Sequence, residues 1–388
     1  MRKNCLFIIL FVFLFSNCRN KTDYTNETRL VLNDLILQDA NKALLETPET
    51  VTATGCERSA GVIHDFYSEG DYWWPDPKNP NGPYIRRDGE TNPENFVAHR
   101  LAMIRFSRIV GTLASAYLIT KDEKYVEQAF KHIRAWFVDP TTLMNPDLQF
   151  AQAIKGISTG RGTGIIDTVH LMEVAQGIIR MQNAVCVDKE ELQIIKEWFA
   201  AYLNWLTTHQ YGIDERNAEN NHGTCWAMQV ASFAKLTGNI ELLNWCCKHY
   251  KEVLLPRQMS EDGSFPLEIS RTKPYGYSIF NLDAMVTLCQ ILSTPEDDLY
   301  EYTTETGLNI KRGVDFLVPY IHDKSAWPFP QDVMYWNDWP VAQPALLFAA
   351  IYYKEPVYFN LWKSLDHAPT VPEVIRNLPI RNPLIWIE

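Results

Sequence analysis

The clearest helical hairpin in this sequence spans residues 97–137, VAHRLAMIRFSRIVGTLASAYLITKDEKYVEQAFKHIRAWF. Apolar residues recur at helical spacing over 97–119 and again over 123–137. Thr120-Lys121-Asp122 between the two segments is polar and marks a helix boundary. Two helices joined by such a short loop are expected to pack side by side and antiparallel.

The same pattern continues along the rest of the chain, so the sequence predicts an all-α fold. Patterns that alternate between apolar and polar residues, as in β-strands, are scarce. No motif recurs at a fixed period, which argues against an open superhelical repeat array and favours a closed ring of hairpins. We therefore predict an (α/α)n toroid of six or seven helical hairpins, with long irregular loops lining a cleft. Further helices are predicted at 26–45, 166–184, 188–209, 223–237, 239–254, 277–292, 306–322 and 340–353.

Residues 1–18 have the pattern of an export signal. Arg2 and Lys3 precede an apolar run over residues 6–15, which ends at Ser16-Asn17-Cys18. The run is too short for a stable membrane anchor, whereas a basic start and small residues at the end are typical of signals. Cys18 also allows a bacterial lipoprotein, with the lipidated cysteine as a membrane tether. We predict a single catalytic domain at 19–388, located in the periplasm or at the outer membrane.

Charge and aromatic content restrict the partners that this chain can bind. The formal net charge is −11, which argues against nucleic acid as a partner. An anionic polysaccharide remains possible, because Arg and Lys gathered in a cleft can bind anions on an acidic protein. Aromatic residues make up 12% of the chain, enough both to fill a large core and to stack on sugar rings.

The sharpest catalytic signal is NNHGTCW at residues 220–226, where an apolar helical pattern begins. Asn is a favoured N-cap, and free backbone N–H groups at a helix start favour nearby negative charge. This arrangement suits Asn221 as a ligand for an anion and His222 as a neutral imidazole base. The structural alternative is an Asn cap followed by a buried, hydrogen-bonded histidine.

A second signal is PLEISRTKPYGY at residues 266–277. Arg271 offers a planar guanidinium that matches a carboxylate, and Tyr275 and Tyr277 offer phenols. A phenol has an ordinary pKa of about 10, so we expect a nearby cation to bring it into a useful range. The structural alternative is an ion pair between Arg271 and Glu268.

Together these residues suit β-elimination from a uronate polymer. The reaction needs a neutralised C5 carboxylate, a base for the C5 proton and an acid for the glycosidic oxygen. Asn221 and Arg271 can stabilise the carboxylate as charge moves onto it. His222 or Tyr277 can take the proton, and Tyr277 can give one to the leaving oxygen. The reaction requires neither a metal nor a cofactor.

The sequence resembles the alginate-lyase superfamily of α/α-toroid polysaccharide lyases, which includes family 5 and the related family 38. The Asn-His pair at 221–222, the PLEISR segment at 266–271 and the later Tyr277 look like the family 5 pattern, with the Arg-to-Tyr spacing one residue shorter. Tyr275 is therefore a possible substitute. The motifs DYWWPDP at 71–77, YIRRDGE at 84–90 and GRGTGIID at 160–167 are similar to those of the wider superfamily and favour family 38.

The resemblance implies a cofactor-free alginate lyase. In mannuronate the C5 proton and the leaving group lie on the same side, so Tyr277 alone would serve as base and acid. In guluronate they lie on opposite sides, and His222 as base with Tyr277 as acid fits better. A site with both groups could accept either polymer.

Irregular segments at 61–95 and 149–167 provide most of the predicted substrate contacts. The aromatic residues suit stacking on sugar rings, the arginines suit carboxylates and the glutamines suit hydroxyls. The alternatives are tryptophans pinned into the core, arginines paired with Asp88 or Glu90, and Asp167 holding Arg161. The predicted substrate-binding set is Trp73, Trp74, Tyr84, Arg86, Arg87, Gln149, Gln152, Arg161, Lys273 and Tyr275.

Two other functions fit the same composition. A glycoside hydrolase on this fold would need two carboxylates flanking the scissile bond. A non-catalytic glycan-binding lipoprotein would use aromatic loops but would have no reason to gather Asn, His, Arg and Tyr around one point. Loop carboxylates available to a hydrolase are Asp65, Asp71, Glu268, Asp332 and Asp338.

Overall fold

A computed structural model describes residues 23–388, so the predicted export signal and Cys18 lie outside the described residues. Within that range the prediction of an all-α fold is confirmed. The first fourteen α-helices of the described residues are α1 Tyr24–Ala43, α2 Ala98–Thr120, α3 Lys124–Phe137, α4 Leu171–Met181, α5 Lys189–Thr208, α6 Gln210–Arg216, α7 Asn221–Thr237, α8 Ile240–His249, α9 Leu255–Gln258, α10 Pro266–Ile269, α11 Pro274–Leu292, α12 Ile310–His322, α13 Pro344–Tyr353 and α14 Pro356–Ser364. Two short helices, α15 Pro372–Arg376 and α16 Leu384–Ile387, complete the series.

The helices form a closed ring with an inner and an outer layer. The inner helices α2, α4, α7, α11 and α13 contact one another in that order, and α1 closes the ring by contacting both α13 and α2. The outer helices α3, α5, α8, α12 and α14 each pack on an inner helix. This is the predicted α/α toroid: the described residues form five inner helices, and α1, buried along a single stripe, lies between the first and the last of them.

Sequence composition explains which helices lie inside. α2 is apolar on nearly every side, and although it is long and apolar enough to cross a bilayer, 78% of its most apolar window is buried in the protein. In α3, by contrast, buried Val126, Phe130 and Ile133 alternate with exposed charged residues at helical spacing. A helix that is apolar all round belongs in a core, whereas one with a single apolar stripe belongs at the surface.

The structure departs from the predicted elements mainly in short segments. The predicted helix 166–184 starts as a 3-10 helix at Gly162–Thr168 before α4, and α8 ends in a π-helical turn at Tyr250–Leu254. Strands β1 Tyr67–Glu69 and β4 Phe150–Ala153 pair in parallel, and β2 Trp73–Trp74 pairs antiparallel with β3 Ile85–Arg86. Strands of two to four residues are too short to show alternation, and their partners are distant in sequence.

The inner helices turn their N-terminal ends toward one face of the ring. Arg100 lies in the first turn of α2, Asn221 is the first residue of α7, and Tyr277 lies in the first turn of α11. All three approach the irregular segment around Asp71 and Tyr72, which covers this face. Helix N-termini carry partial positive charge, so this face favours an anionic ligand.

Candidate active site

A cavity of about 480 Å³ opens on the face where the inner helices begin. Four side chains that the sequence predicted as catalytic, Asn221, His222, Arg271 and Tyr277, all line it. Its walls also carry four guanidinium groups and three carboxylates, so the cavity has a local excess of positive charge despite the acidic chain. These charged residues are Arg86, Arg161, Arg271, Arg376, Asp71, Asp214 and Glu215.

Asn221 is fixed by a buried carboxylate. Of the two asparagines, Asn220 is the N-cap of α7, and its side chain accepts a hydrogen bond from the backbone N–H of His222. The backbone N–H and the side-chain Nδ2 of Asn221 donate to the two carboxylate oxygens of Glu268, at 2.7 and 2.6 Å. Burial raises the pKa of Glu268, and the two bonds from Asn221 oppose that rise. An amide nitrogen has two hydrogens, so Nδ2 keeps one for a ligand in the cavity.

His222 forms a pair with a carboxylate that sequence reasoning missed. Its Nδ1 lies 2.5 Å from Oε1 of Glu215, a buried residue of α6. This contact assigns the proton to Nδ1, because a carboxylate only accepts, and leaves Nε2 as an acceptor. Nε2 makes no hydrogen bond within the described part of the chain, and the ring lines the cavity. The histidine is therefore oriented as a base.

Arg271 is bound to Asp88 and not to Glu268. Its Nε and Nη2 donate to Oδ2 and Oδ1 of Asp88 at 3.2 and 2.9 Å, and the Thr272 hydroxyl also donates to Oδ2. Burial alone would raise the pKa of Asp88, but these bonds outweigh burial and hold it below its usual range. The structural alternative, an ion pair between Arg271 and Glu268, is therefore wrong: Asp88 fixes the guanidinium, and Arg271 lines the cavity as predicted.

Tyr277 shares a hydrogen bond with Tyr72. The Tyr277 hydroxyl donates to the Tyr72 hydroxyl at 2.9 Å, and the guanidinium of Arg271 lies 4.5 Å from the centre of the Tyr277 ring. We expected a cation to lower the pKa of this phenol. Arg271 does lower it, but burial is the larger effect, and the net pKa is well above its ordinary value. Tyr277 consequently holds its proton at rest, as an acid must.

Below the two tyrosines lies a buried network of charges. Arg100 binds Asp71 with both Nη atoms, at 2.8 and 2.5 Å, and Arg376 reaches the same carboxylate at 2.9 Å. Arg376 also contacts Glu373, which pairs with Lys273 at 2.6 Å. Burial alone would raise the pKa of Asp71, but the two arginines outweigh it and lower the pKa. Of these residues, Asp71 and Arg376 line the cavity, and the others lie behind them.

Four of the predicted substrate-binding residues line the cavity: Trp73, Arg86, Gln152 and Arg161. Gln152 has a left-handed backbone, with φ of 48°, which is uncommon outside glycine. Its side-chain oxygen accepts a hydrogen bond from Arg161 at 2.7 Å, and its Nε2 donates to Asp167 at 3.0 Å. Gln152, and not Asp167, therefore holds Arg161 in place.

The other predicted substrate-binding residues do not line this cavity. Trp74 donates its indole N–H to the backbone of Glu90 and lies against Arg87, which itself pairs with Glu90. Tyr84 lies near Lys155 outside the cavity, and Gln149 is also outside it. Trp74 and Arg87 thus bind Glu90 within the loop that also carries Trp73 and Arg86.

The sequence predicts Lys273 and Tyr275 as substrate-binding residues, but both are buried away from the cavity. The side chain of Lys273 is buried behind Tyr72 and Tyr277, where it pairs with Glu373. Tyr275 is fully buried, and its hydroxyl donates to the backbone oxygen of Tyr320. α11 starts at Pro274, so Tyr275 and Tyr277 lie two positions apart on the helix and face different directions. Neither Lys273 nor Tyr275 reaches the cavity.

Sequence reasoning missed Tyr72, Glu215 and Arg376. Tyr72 was visible within the motif at 71–77, but only its tryptophans suggested sugar contacts. Arg376 comes from the C-terminal part of the chain, where no motif indicated a site. Closure of the ring brings Tyr72 and Arg376 to the cavity, and local sequence patterns do not encode that closure.

The carboxylates considered for hydrolysis are engaged elsewhere. Asp65 accepts from the backbone of Val62 and from Asn145, and Asp332 accepts from the backbone of Tyr275 and Gly276. Of the five candidates, Asp71 alone lines the cavity, where two arginines neutralise it. A hydrolase needs one carboxylic acid and one free carboxylate across the bond, and these five residues do not supply that pair.

An α/α toroid with an Asn, His, Arg and Tyr set in a cationic cleft defines a polysaccharide lyase. A family model described as "Alginate lyase" matches residues 50–327. The chain therefore belongs to the alginate lyase family.

Solved structures agree with this assignment. The chain is similar to an alginate lyase from Bacteroides ovatus, with 33% identity, a TM-score of 0.81, and coverage of 94% of this chain and 97% of that one. It shares the fold of alginate lyase A1-III from Sphingomonas species A1, at 17% identity and a TM-score of 0.53 over 86% of this chain and 87% of that one. An A1-III variant complexed with a tetrasaccharide matches with a TM-score of 0.55 at the same identity, over 87% and 89%. No curated protein matches the chain.

Proposed function

We propose that this member of the alginate lyase family cleaves alginate by β-elimination at the cavity described above, leaving an unsaturated uronate at the new non-reducing end. One observation carries the proposal. The pair Asn221 and His222 at the start of α7 and the pair Arg271 and Tyr277 around the start of α11 line one cavity. Each supplies a group that elimination needs, and each is held by a second residue behind it.

Asn221 and Arg271 are the groups that stabilise the C5 carboxylate. Glu268 fixes the Asn221 amide and Asp88 fixes the Arg271 guanidinium, so neither has to reorganise when substrate arrives. Preorganised donors of this kind act on the charge that develops in the transition state, when the carboxylate takes on aci-enolate character.

His222 is the base and Tyr277 is the acid. The Nε2 of His222 is left as an acceptor by the bond from Nδ1 to Glu215, so it can take the C5 proton. Tyr277 holds its proton at rest and can pass it to the glycosidic oxygen as the C4–O bond breaks. This division of roles fits guluronate, where the two groups act from opposite sides of the sugar. For mannuronate, Tyr277 would have to serve in both roles.

Neighbouring sugars are bound by Trp73, Arg86 and Arg161. Arg161 is held by Gln152, with its guanidinium 5.9 Å from the centre of the Trp73 ring. The indole offers an apolar face for a sugar ring, and the two arginines offer charge for carboxylates. A variant of A1-III, which shares the fold, has been solved with a tetrasaccharide. The cavity of about 480 Å³ that these three residues line also suits an oligosaccharide.

The cellular setting and the subfamily belong to the same proposal. An export signal at 1–18, with a lipidated Cys18 as a membrane tether, would place the enzyme in the periplasm or at the outer membrane, where a polymer fragment can reach it. The motifs at 71–77, 84–90 and 160–167 support family 38. Both points rest on sequence patterns.

The decisive experiment follows ultraviolet absorbance while the purified protein digests a panel of polyuronates. We expect absorbance from the new double bond to grow with polymannuronate, polyguluronate or both, and to stay flat with a galacturonate polymer. New reducing ends without absorbance would instead indicate a glycoside hydrolase. Binding of alginate without any new ends would indicate a non-catalytic glycan-binding protein. Either result would overturn the proposal.

A further inference from the structure

Lys273 is the most unusual charge near the site, because it faces the catalytic phenol from inside the protein. Its side chain is 5% exposed, and its ammonium lies 5.1 Å from the centre of the Tyr72 ring and 5.2 Å from that of Tyr277. A third ring, that of Tyr335, lies at 5.6 Å. The ammonium is thus enclosed by aromatic rings and does not reach the cavity.

Glu373 fixes this ammonium and keeps it charged. Its Oε1 lies 2.6 Å from Nζ, and its other oxygen accepts from Arg376 at 3.1 Å. Burial alone would lower the pKa of Lys273, but Tyr72 and Glu373 beside it outweigh burial and raise it. A buried ammonium persists only with such partners. Lys273 is therefore a permanent positive charge behind the phenols.

We infer that Lys273 is a positioning residue for the tyrosine pair, whose ammonium stabilises the negative charge that passes onto Tyr277 and Tyr72 during proton transfer to the leaving group. The inference rests on the proposed function, because it concerns the acid of that reaction. It replaces the prediction that Lys273 is a substrate-binding residue.

The proton transfer can be followed atom by atom. The O–H bond of Tyr277 breaks, the glycosidic oxygen gains the proton, and the electron pair remains on the Tyr277 oxygen. The Tyr72 hydroxyl, which accepts from Tyr277 at rest, then turns to donate to that phenolate. Lys273 stays protonated, and solvent returns to Tyr277 a proton equivalent to the one that His222 took from C5. No other reactant is needed.

Other charges face the pair, but their effects differ from that of Lys273. Arg271 lies over the Tyr277 ring from the cavity side and is bound to Asp88, while Asp71 and Arg376 lie below and neutralise each other in part. Arg271 is also available to the substrate carboxylate, so its charge is shared once substrate binds. Lys273 is out of reach of substrate and retains its effect throughout the reaction.

The test compares Lys273→Met with Lys273→Arg, which keeps the charge, and with Lys363→Met, the same change on the outer helix α14. An opposite charge at this distance shifts a pKa by about 1 to 3 units. We therefore expect Lys273→Met to lower kcat on alginate about tenfold or more and to move the alkaline limb of its pH profile upward by about one unit or more. KM should stay unchanged, and Lys273→Arg should recover part of kcat.

A second variant shows whether any loss in Lys273→Met arises from misfolding. Lys273→Met leaves Glu373 buried without its partner, so the double variant Lys273→Met/Glu373→Gln removes both charges together. Fluorine NMR of protein labelled with fluorotyrosine, with resonances assigned from Tyr277→Phe and Tyr72→Phe, then reports ionisation of the pair directly. In the double variant we expect ionisation at higher pH than in the wild type.

The outcomes separate the two proposals. Unchanged ionisation and an unmoved alkaline limb in both variants would overturn the role of Lys273 while leaving the lyase activity in place. A raised KM with an unmoved limb would overturn it in favour of substrate binding. If the wild type made no unsaturated product, the proposed function would fail, and the NMR titration would still decide whether Lys273 controls the phenols.

Discussion

The Nδ1 of His222 lies 2.5 Å from the buried Oε1 of Glu215, so the histidine in the cavity belongs to a carboxylate–imidazole pair. The two residues come from consecutive helices: Glu215 lies in the last turn of α6 and His222 in the first turn of α7. The carboxylate fixes the tautomer and the ring plane together. It also favours the imidazolium that forms when His222 takes a proton.

Glu215→Gln should therefore slow turnover without weakening binding. The amide keeps the size of the side chain but loses the charge that orients the imidazole and stabilises its protonated form. We expect kcat on alginate to fall on the order of tenfold to a hundredfold, the size of effect found when the outer-shell partner of a metal-ligating histidine is removed. Glu197→Gln is the matched control, because Glu197 is exposed on α5, away from the cavity, and is hydrogen-bonded by Gln193. Equal losses in the two variants would show that the pair has no special role.

The helical framework was predictable because its signal is local. Periodicity in 97–119 and 123–137 reports which face of each segment is buried, and the observed helices Ala98–Thr120 and Lys124–Phe137 agree within one residue. The helix start after Asn220 was equally visible, since N-capping depends on neighbours in sequence. The prediction of a closed ring rested on the absence of a sequence motif that recurs at a fixed period.

The partners of the site residues were not predictable in the same way. Arg271 has Glu268 three residues before it and yet binds Asp88, which is 183 positions away, while Glu268 binds Asn221. Such choices depend on how the loops cross the ring. The ionisation of Tyr277 was also misjudged, because the sequence shows nearby cations but does not show how deeply the phenol is buried.

Tyr277→Phe and Tyr275→Phe should separate catalysis from packing. Removing the Tyr277 hydroxyl takes away the acid, so kcat should fall about a hundredfold or more while alginate still binds. Removing the Tyr275 hydroxyl breaks a bond to the Tyr320 carbonyl and should lower the free energy of unfolding by about 1 kcal/mol with turnover retained. Steady-state kinetics and denaturant unfolding measure the two effects. A Tyr277→Phe enzyme with wild-type kcat would remove Tyr277 from the mechanism.

Asp88 should make the stability of the protein depend on acid pH. Its pKa lies below the ordinary value in the folded state, because bonds from Arg271 and Thr272 outweigh burial. The carboxylate therefore stabilises the fold above its ordinary pKa, and this contribution is lost as the pH falls toward the folded value. We expect the difference in free energy of unfolding between wild type and Asp88→Asn to shrink between about pH 5 and pH 2.

Urea unfolding at several pH values measures that difference. Asp34→Asn on α1 is a suitable control, because Asp34 is exposed and its carboxylate accepts a hydrogen bond from its neighbour Asn33. The free energies of wild type and Asp34→Asn should fall in parallel with pH. A constant difference between wild type and Asp88→Asn would mean that the contacts of the ionised Asp88 with Arg271, Thr272 and Arg86 add no stability.

Asn221 and Asn220 are adjacent asparagines with different expected roles. Asn221→Ala removes a donor aimed at the substrate carboxylate, and loss of one such donor typically lowers kcat about a hundredfold to a thousandfold. Asn220→Ala removes the N-cap of α7, which should lower the free energy of unfolding by about 1 kcal/mol. Turnover should then change far less than in Asn221→Ala, provided that kinetics are measured at a temperature where both variants stay folded. A defect confined to KM in Asn221→Ala would show that the amide binds substrate and transition state equally, and would count against charge stabilisation by Asn221.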